Sequence, residues 1–245
     1  MLRFFWHVRV RLRRARVILL LRARALRVGA TVKCSIAPDV CFGRRVSIRV
    51  DPRTANEFTV GSGCNVDDDV RIELGGGSLV LGDATTVRHG CVLFVRGRLT
   101  IQGPNLVQHG ATFHCDEQIT IEPRAVLSEY TTLVDSSHFH DSRGGWFLDE
   151  LKTAPVVIEE DVWVCAKATV TRGVRIGKRA VVGANSLVVK YVPEEHLASG
   201  VPAKSVRRTK GASRCEDPSP CGEPYAELRS LSLELDECGH SADPT

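Results

Sequence analysis

From Ile158 onward a branched aliphatic residue recurs at every sixth position: Ile158, Val164, Val170, Ile176, Val182 and Val188. Four residues after each stands a second small or aliphatic residue: Val162, Ala168, Val174, Ala180, Ser186 and Val192. A helix needs a period of ~3.6 and a two-sided strand a period of ~2, so neither fits this pattern. A six-residue period predicts a solenoid of short parallel strands, with three hexapeptides in each triangular coil. The large aliphatic fills the prism and the smaller residue sits near the corner, where little volume remains. Residues 158–193 supply two such coils.

The same rhythm runs upstream in the triplets Val60, Val66, Ile72; Leu81, Val87, Leu93; Ile101, Val107, Phe113; and Ile121, Leu127, Leu133. Successive triplets start 20 or 21 residues apart rather than 18, and the surplus falls at Gly75-Gly76-Gly77, Arg96-Gly97-Arg98 and Asp116-Glu117-Gln118. This predicts one lengthened corner per coil, because loops lie outside the packed prism. A weaker turn stands at Ile36, Phe42 and Ile48. The largest interruption, residues 134–157, predicts a long loop leaving the prism, an element of the kind that carries function. It holds His138, His140, Phe139, Trp146 and Phe147, which a coil interior cannot accommodate.

A solenoid exposes strand edges at its ends, and these must be covered. Residues 1–28 predict a basic amphipathic helix in which Phe5, Val8, Leu12, Ala15, Leu19 and Leu26 roughly share a face. That face is expected to cap the prism, with the arginine-covered opposite side available to anionic lipid. Residues 29–208 form the solenoid domain, and residues 209–245, rich in Pro, Ser and acidic residues, predict a mostly disordered tail.

Composition adds limits. The net charge of +4 averages nine arginines and no acid in residues 1–28 against the acidic tail, leaving a body close to neutral. A neutral body argues against a nucleic-acid-binding core. No run approaches the ~20 apolar residues needed to span a bilayer. The nine cysteines fall mostly in repeat positions, without a signal peptide before them, and read as reduced, cytosolic thiols packing as small hydrophobes. The expected location is the cytoplasm, with peripheral membrane contact through residues 1–28 as an added option.

The segment Pro155–Val164 (PVVIEEDVWV), the coils after it, the run Val182–Lys190 (VGANSLVVK) and the run Ala198–Arg207 (ASGVPAKSVR) resemble the hexapeptide-repeat O-acetyltransferases. That family includes galactoside, maltose and polysaccharide acetyltransferases. The resemblance is strong over about residues 100–208, weaker over 30–100 and absent at both ends. It implies an all-β solenoid in the form of a left-handed parallel β-helix, a homotrimer with active sites between subunits, and acetyl-CoA as donor. The hand comes from the resemblance alone, since crossover connections otherwise prefer the right hand.

Acetyl transfer from a thioester requires a base to deprotonate the attacking hydroxyl, stabilisation of the oxyanion and a proton for the leaving thiolate. Imidazole titrates near neutrality and can serve both proton steps. Ser137-His138-Phe139-His140-Asp141 resembles the family's catalytic segment, which makes His138 the candidate base. The resemblance further places Asp116, Gln108 and His140 at the acceptor. Gln108 stands where relatives have an asparagine, so the acceptor is expected to differ. For the donor it implies Trp163, Ala166, Ala184, Val189 and Lys190 along the pantetheine arm, with Lys204 and Arg207 near the nucleotide phosphates. Cys165 departs from the family's usual glycine. The acceptor is left open among polysaccharide, lipid-linked sugar, small glycoside and amino sugar.

Two other functions suit the same prism. A γ-carbonic-anhydrase-like metalloenzyme would use His89, His109 and His114, although no metal is expected if the segments after Ile158 are followed. A catalytically inactive β-helix scaffold is the second.

Overall fold

The computed structural model describes the backbone of residues 2–140 and 146–207, and the side chains of residues 11–138 and 151–207. Residues 31–207 form a left-handed parallel β-solenoid of about seven turns. Two of its three faces are seven-stranded sheets and the third has nine strands, and along each face every strand pairs with the equivalent strand one coil away.

The six-residue period fills the prism as expected. Face one stacks Val60, Leu81, Ile101, Ile121, Ile158 and Ile176; face two stacks Val66, Val87, Val107, Leu127, Val164 and Val182. Face three stacks Ile72, Leu93, Phe113, Leu133, Val170 and Val188. Each of these is no more than 2% exposed, so the core is continuous from coil to coil. Burial of this kind contributes ~1.5–3 kcal/mol per large side chain and dominates the stability of a repeat fold.

The surplus residues of the wide coils are placed differently from expectation. They do not lengthen a corner. In these coils the strands of faces one and three run to four residues, as in Ser78–Leu81 and Val92–Val95, against two in Thr169–Val170 and Leu187–Val188. The corner from face three to face one is two residues long at 96–97 and 116–117 and three at 75–77. At one such corner a β-carbon on Gly97 would lie 2.3 Å from the carbonyl oxygen of Glu117, so backbone there approaches backbone too closely for any side chain.

Helix α1 (Leu2–Arg27) covers the lower end, and here the expected packing face is overturned. Leu21 and Ala25 are buried, with Val17 and Ile18 packed beside them, whereas Leu12, Leu19 and Leu26 are exposed. Three arginines of α1 explain the orientation. Arg14 donates to the carbonyl of Ile36 at 2.7 Å, Arg13 to that of Phe42 at 3.4 Å, and Arg24 to that of Ile48. These acceptors belong to faces one, two and three, so one guanidinium serves each face of the first coil, which has no coil below it. At the upper end, strand His196–Gly200 joins face two and folds back antiparallel onto Ala203–Arg207, closing that edge. Among the described residues no helix is long and apolar enough to cross a membrane.

Candidate active site

Within the stretch 134–157 the described residues include two strands rather than irregular loop alone. Strand Ser136–His140 pairs antiparallel with Trp146–Thr153, so the excursion is a hairpin arm rising from the corner between faces three and one. Its departure creates a bonding problem. One coil lower, the N–H groups of Arg96 and Gly97 both donate to the carbonyl of Cys115, at 2.8 and 2.9 Å. The corresponding N–H groups of Asp116 and Glu117 instead donate to the carboxylate of Asp135, at 2.8 and 3.0 Å. Asp135 is fully buried and replaces the coil that has left. Its own carbonyl receives Ala154 N–H at 2.9 Å, which closes the base of the arm. Beneath it, burial first and the Asp135 carboxylate second push the Cys115 thiol up to about 12, so that thiol is neutral.

Two serines then fix the arm from both sides. Ser136 Oγ donates to Asp116 Oδ2 at 2.5 Å in the coil below, and Arg172 Nε in the coil above donates to Ser137 Oγ at 2.9 Å. Asp116, whose side chain is only 12% exposed, is held from its other oxygen by Arg96 at 3.1 Å. His138 follows these anchors and is exposed, opposite Leu151, with a register shift between it and Phe139. Bulges re-aim side chains and are frequent beside active sites. The sequence-predicted base therefore stands at a prism edge on a strand tied at consecutive residues. The side chain of His140 lies outside the described residues.

The other predicted residues divide between two edges. Val189 and Lys190 are exposed on the same edge as His138 and Asp116. Ala166 and Ala184 lie on the edge between faces two and three, with Gln108 lower on that edge and Trp163 beside it on face two. Trp163 Nε1 donates to Ser128 Oγ at 3.0 Å, which orients the indole. Lys204 and Arg207 are exposed on the strand that closes face two.

The edge between faces two and three has a directional pattern. Backbone bonds join Asp68 to Gly90, His89 to Gly110, His109 to Tyr130, Glu129 to Lys167 and Ala166 to Asn185. One corner position thus reads Asp68, His89, His109, Glu129, Ala166, Ala184 from coil to coil. Long or charged side chains occupy the four lower coils and β-carbons alone the two upper ones, leaving open backbone there. Cys165 adjoins this stretch half-buried, and burial raises its thiol pKa, which disfavours a thiolate nucleophile.

The histidines of the metal alternative do not gather in one chain. His89 and His109 are ring neighbours at 6.4 Å on the edge, while His114 stacks on Phe94 at 4.8 Å on face three. Among the described residues no three His, Cys, Asp or Glu side chains converge as a metal-holding group.

Asp135, Arg172 and Ser136 were not singled out from sequence. A buried carboxylate cap has no periodic signature, and Arg172 is separated from Ser137 by the whole hairpin.

Residues 155–190 match the bacterial transferase hexapeptide model of six repeats, and over this stretch the chain resembles the hexapeptide-repeat acetyltransferases. Over 79 residues it is 39% identical to the 2,3,4,5-tetrahydropyridine-2,6-dicarboxylate N-acetyltransferase of Staphylococcus aureus, a match covering 32% of this chain and 31% of that enzyme. The chain thus matches under a third of the length of that curated relative. Among solved structures, the polysialic acid O-acetyltransferase OatWY aligns with a TM-score of 0.56 and 18% identity, covering 77% of this chain and 95% of that one. AntD, an N-acyltransferase from Bacillus cereus in complex with dTDP and 3-hydroxybutyryl-CoA, aligns with a TM-score of 0.52 and 17% identity, covering 87% and 95%. At these identities the two structures share the fold.

Proposed function

We propose that the protein is an acyltransferase that moves an acetyl group from acetyl-CoA to a hydroxyl of a sugar or glycan, with His138 as general base. The observation that carries this reading is the anchoring of Ser136 and Ser137 to Asp116 and Arg172, which presents His138 at an open prism edge. The hexapeptide transferase match and the N-acetyltransferase relative support the reaction class.

In this mechanism His138 takes the proton of the acceptor hydroxyl as its oxygen attacks the thioester carbonyl. The carbon–sulfur bond then breaks, and the imidazolium returns the proton to the CoA thiolate. Asp116 orders the base through Ser136 and lies close enough to the arm to meet the acceptor. The bare backbone at Ala166 and Ala184 suits a pantetheine arm, which needs close main-chain approach, and Trp163 walls the thioester end. Lys204 and Arg207 supply cations for the nucleotide phosphates.

The base and the alanine groove lie on different edges of one prism. A complete site therefore draws the base from one copy and the groove from its neighbour, which supports a homotrimer, in which such heterologous contacts close into a ring.

The test is release of free CoA thiol from acetyl-CoA, measured against a panel of sugars and oligosaccharides. At least one acceptor should raise release roughly tenfold or more over water, within the range a positioned base provides. The product should be lost on mild alkaline treatment, as an ester is. An alkali-stable product would identify an amine acceptor, and no release with any acyl-CoA would remove the reading.

A further inference from the structure

Helix α1 carries two apolar faces rather than one. Val17, Ile18, Leu21 and Ala25 face the prism. On the opposite side Leu12, Ala15, Leu19, Ala23 and Leu26 line up at helical spacing, and this second stripe is open. Leu12, Leu19 and Leu26 are 64%, 69% and 84% exposed. In the sequence the spacing runs on through Val8 and Phe5. Exposed arginines border the stripe, Arg11 and Arg22 along one margin, Arg16 and Arg27 along the other. Beside the second margin, between α1 and the first coil, runs a cleft lined by Arg13, Arg16, Arg24 and Arg44 over Val17 and Leu21.

Three leucines aligned in water contribute nothing to the prism, which α1 already caps with its other face. An apolar stripe bordered by arginine has the design of a helix lying in a lipid interface, its leucines at the acyl boundary and its cations among phosphates. The helix cannot instead cross the bilayer, because no stretch of it between two arginines is longer than five residues. Charge selects the partner. Residues 1–28 hold nine arginines and no acid, and the first carboxylate in the chain is Asp39. A second copy packed on the same stripe would set arginine margin against arginine margin with no carboxylate between them.

We propose that α1 is a docking surface for a bilayer containing anionic lipid, with Leu12, Leu19 and Leu26 inserted and the headgroup phosphates held at the arginine margins and in the Arg13–Arg16–Arg24–Arg44 cleft. This does not depend on the acyltransferase reading. It also reverses the side of the helix that meets lipid: the leucine stripe, not an arginine-covered face, is the contact.

The test is flotation of the full chain with vesicles of phosphatidylcholine alone and of phosphatidylcholine mixed with phosphatidylglycerol, at physiological salt. Partitioning onto the mixed vesicles should exceed that onto the neutral ones by roughly tenfold or more. The variant Leu12→Gln/Leu19→Gln/Leu26→Gln should lose binding to the mixed vesicles by roughly tenfold or more. Arg16→Gln/Arg27→Gln should weaken it by roughly fivefold for each charge removed. Should the triple variant melt early, Leu26→Gln alone, at the most exposed position, carries the comparison. Equal partitioning onto both vesicles, no binding of the wild type, or unchanged binding of the leucine variants would overturn the proposal. So would light scattering that shows the stripe pairing two copies, with the mass falling in the triple variant and no flotation of the wild type.

Discussion

Replacing His138 by alanine is expected to lower the turnover of acetyl transfer by about 10²–10⁴, the usual contribution of a positioned general base. The KM for acetyl-CoA should change little, because the groove proposed for the donor lies on another edge. The fold should not suffer either. His138 is exposed in the protomer, and the bonds that hold its strand belong to Ser136 and Ser137. Thermal unfolding of the variant within a degree or two of wild type would separate a chemical loss from a structural one. Rates of thiol release within about threefold of wild type, far below the loss expected of a base, would take His138 out of the mechanism.

Asp135→Ala should have the largest effect on stability of any single polar substitution near the site. Its buried carboxylate is the partner of two N–H groups at a part-buried corner, and alanine removes the acceptor of both. Each orphaned group costs roughly 1–3 kcal/mol, so a loss of about 2–6 kcal/mol is expected in urea unfolding at neutral pH. Asp135→Asn keeps one carbonyl oxygen and should lose about half as much. Activity should fall further than stability explains, because the same corner carries Asp116, to which Ser136 and hence the strand of His138 are tied. A change under ~0.5 kcal/mol would mean that the corner finds other acceptors and that Asp135 is no pivot.

The prism was legible because its core obeys a rule that repeats. The inward positions Ile158 to Val188 are fixed by one steric demand imposed in every coil, so six residues announce what a single residue never could. The wide coils keep that rhythm, but the sequence alone points to a corner for their extra residues. In the structure they lengthen two faces, as in Ser78–Leu81 and Val92–Val95, since hydrogen-bonded strand is a better use of two residues than a solvated bulge. The amphipathic helix was also legible, but not its orientation. Periodicity points to the Leu12–Leu19–Leu26 stripe, whereas the face that packs on the prism is Val17, Ile18, Leu21 and Ala25. What ranks them is the demand of three open edges for donors, met by Arg13, Arg14 and Arg24.

The site divides in the same way. His138 was visible because it stands at the root of the one long break in the rhythm, within a segment resembling a known family. The parts that hold it were not: Asp135 and Ser136 bond residues about one coil away, where the repeat predicts stacking but not which polar side chains pair, and Arg172 lies beyond the whole hairpin from Ser137. The groove at Ala166 and Ala184 gains meaning only when the coils are stacked, because the same corner position carries His89, His109 and Glu129 below.

A site shared between copies can be tested by mixing two defective chains. His138→Ala lacks the base, and Ala184→Trp fills the groove; each alone should be nearly inactive. Trimers formed from an equal mixture by co-expression or co-refolding would unite an intact base with a neighbour's intact groove in about a quarter of sites, and activity should return to about that fraction of wild type. A mixture no more active than its parents would contradict a base and a donor groove that meet across the interface between two prisms.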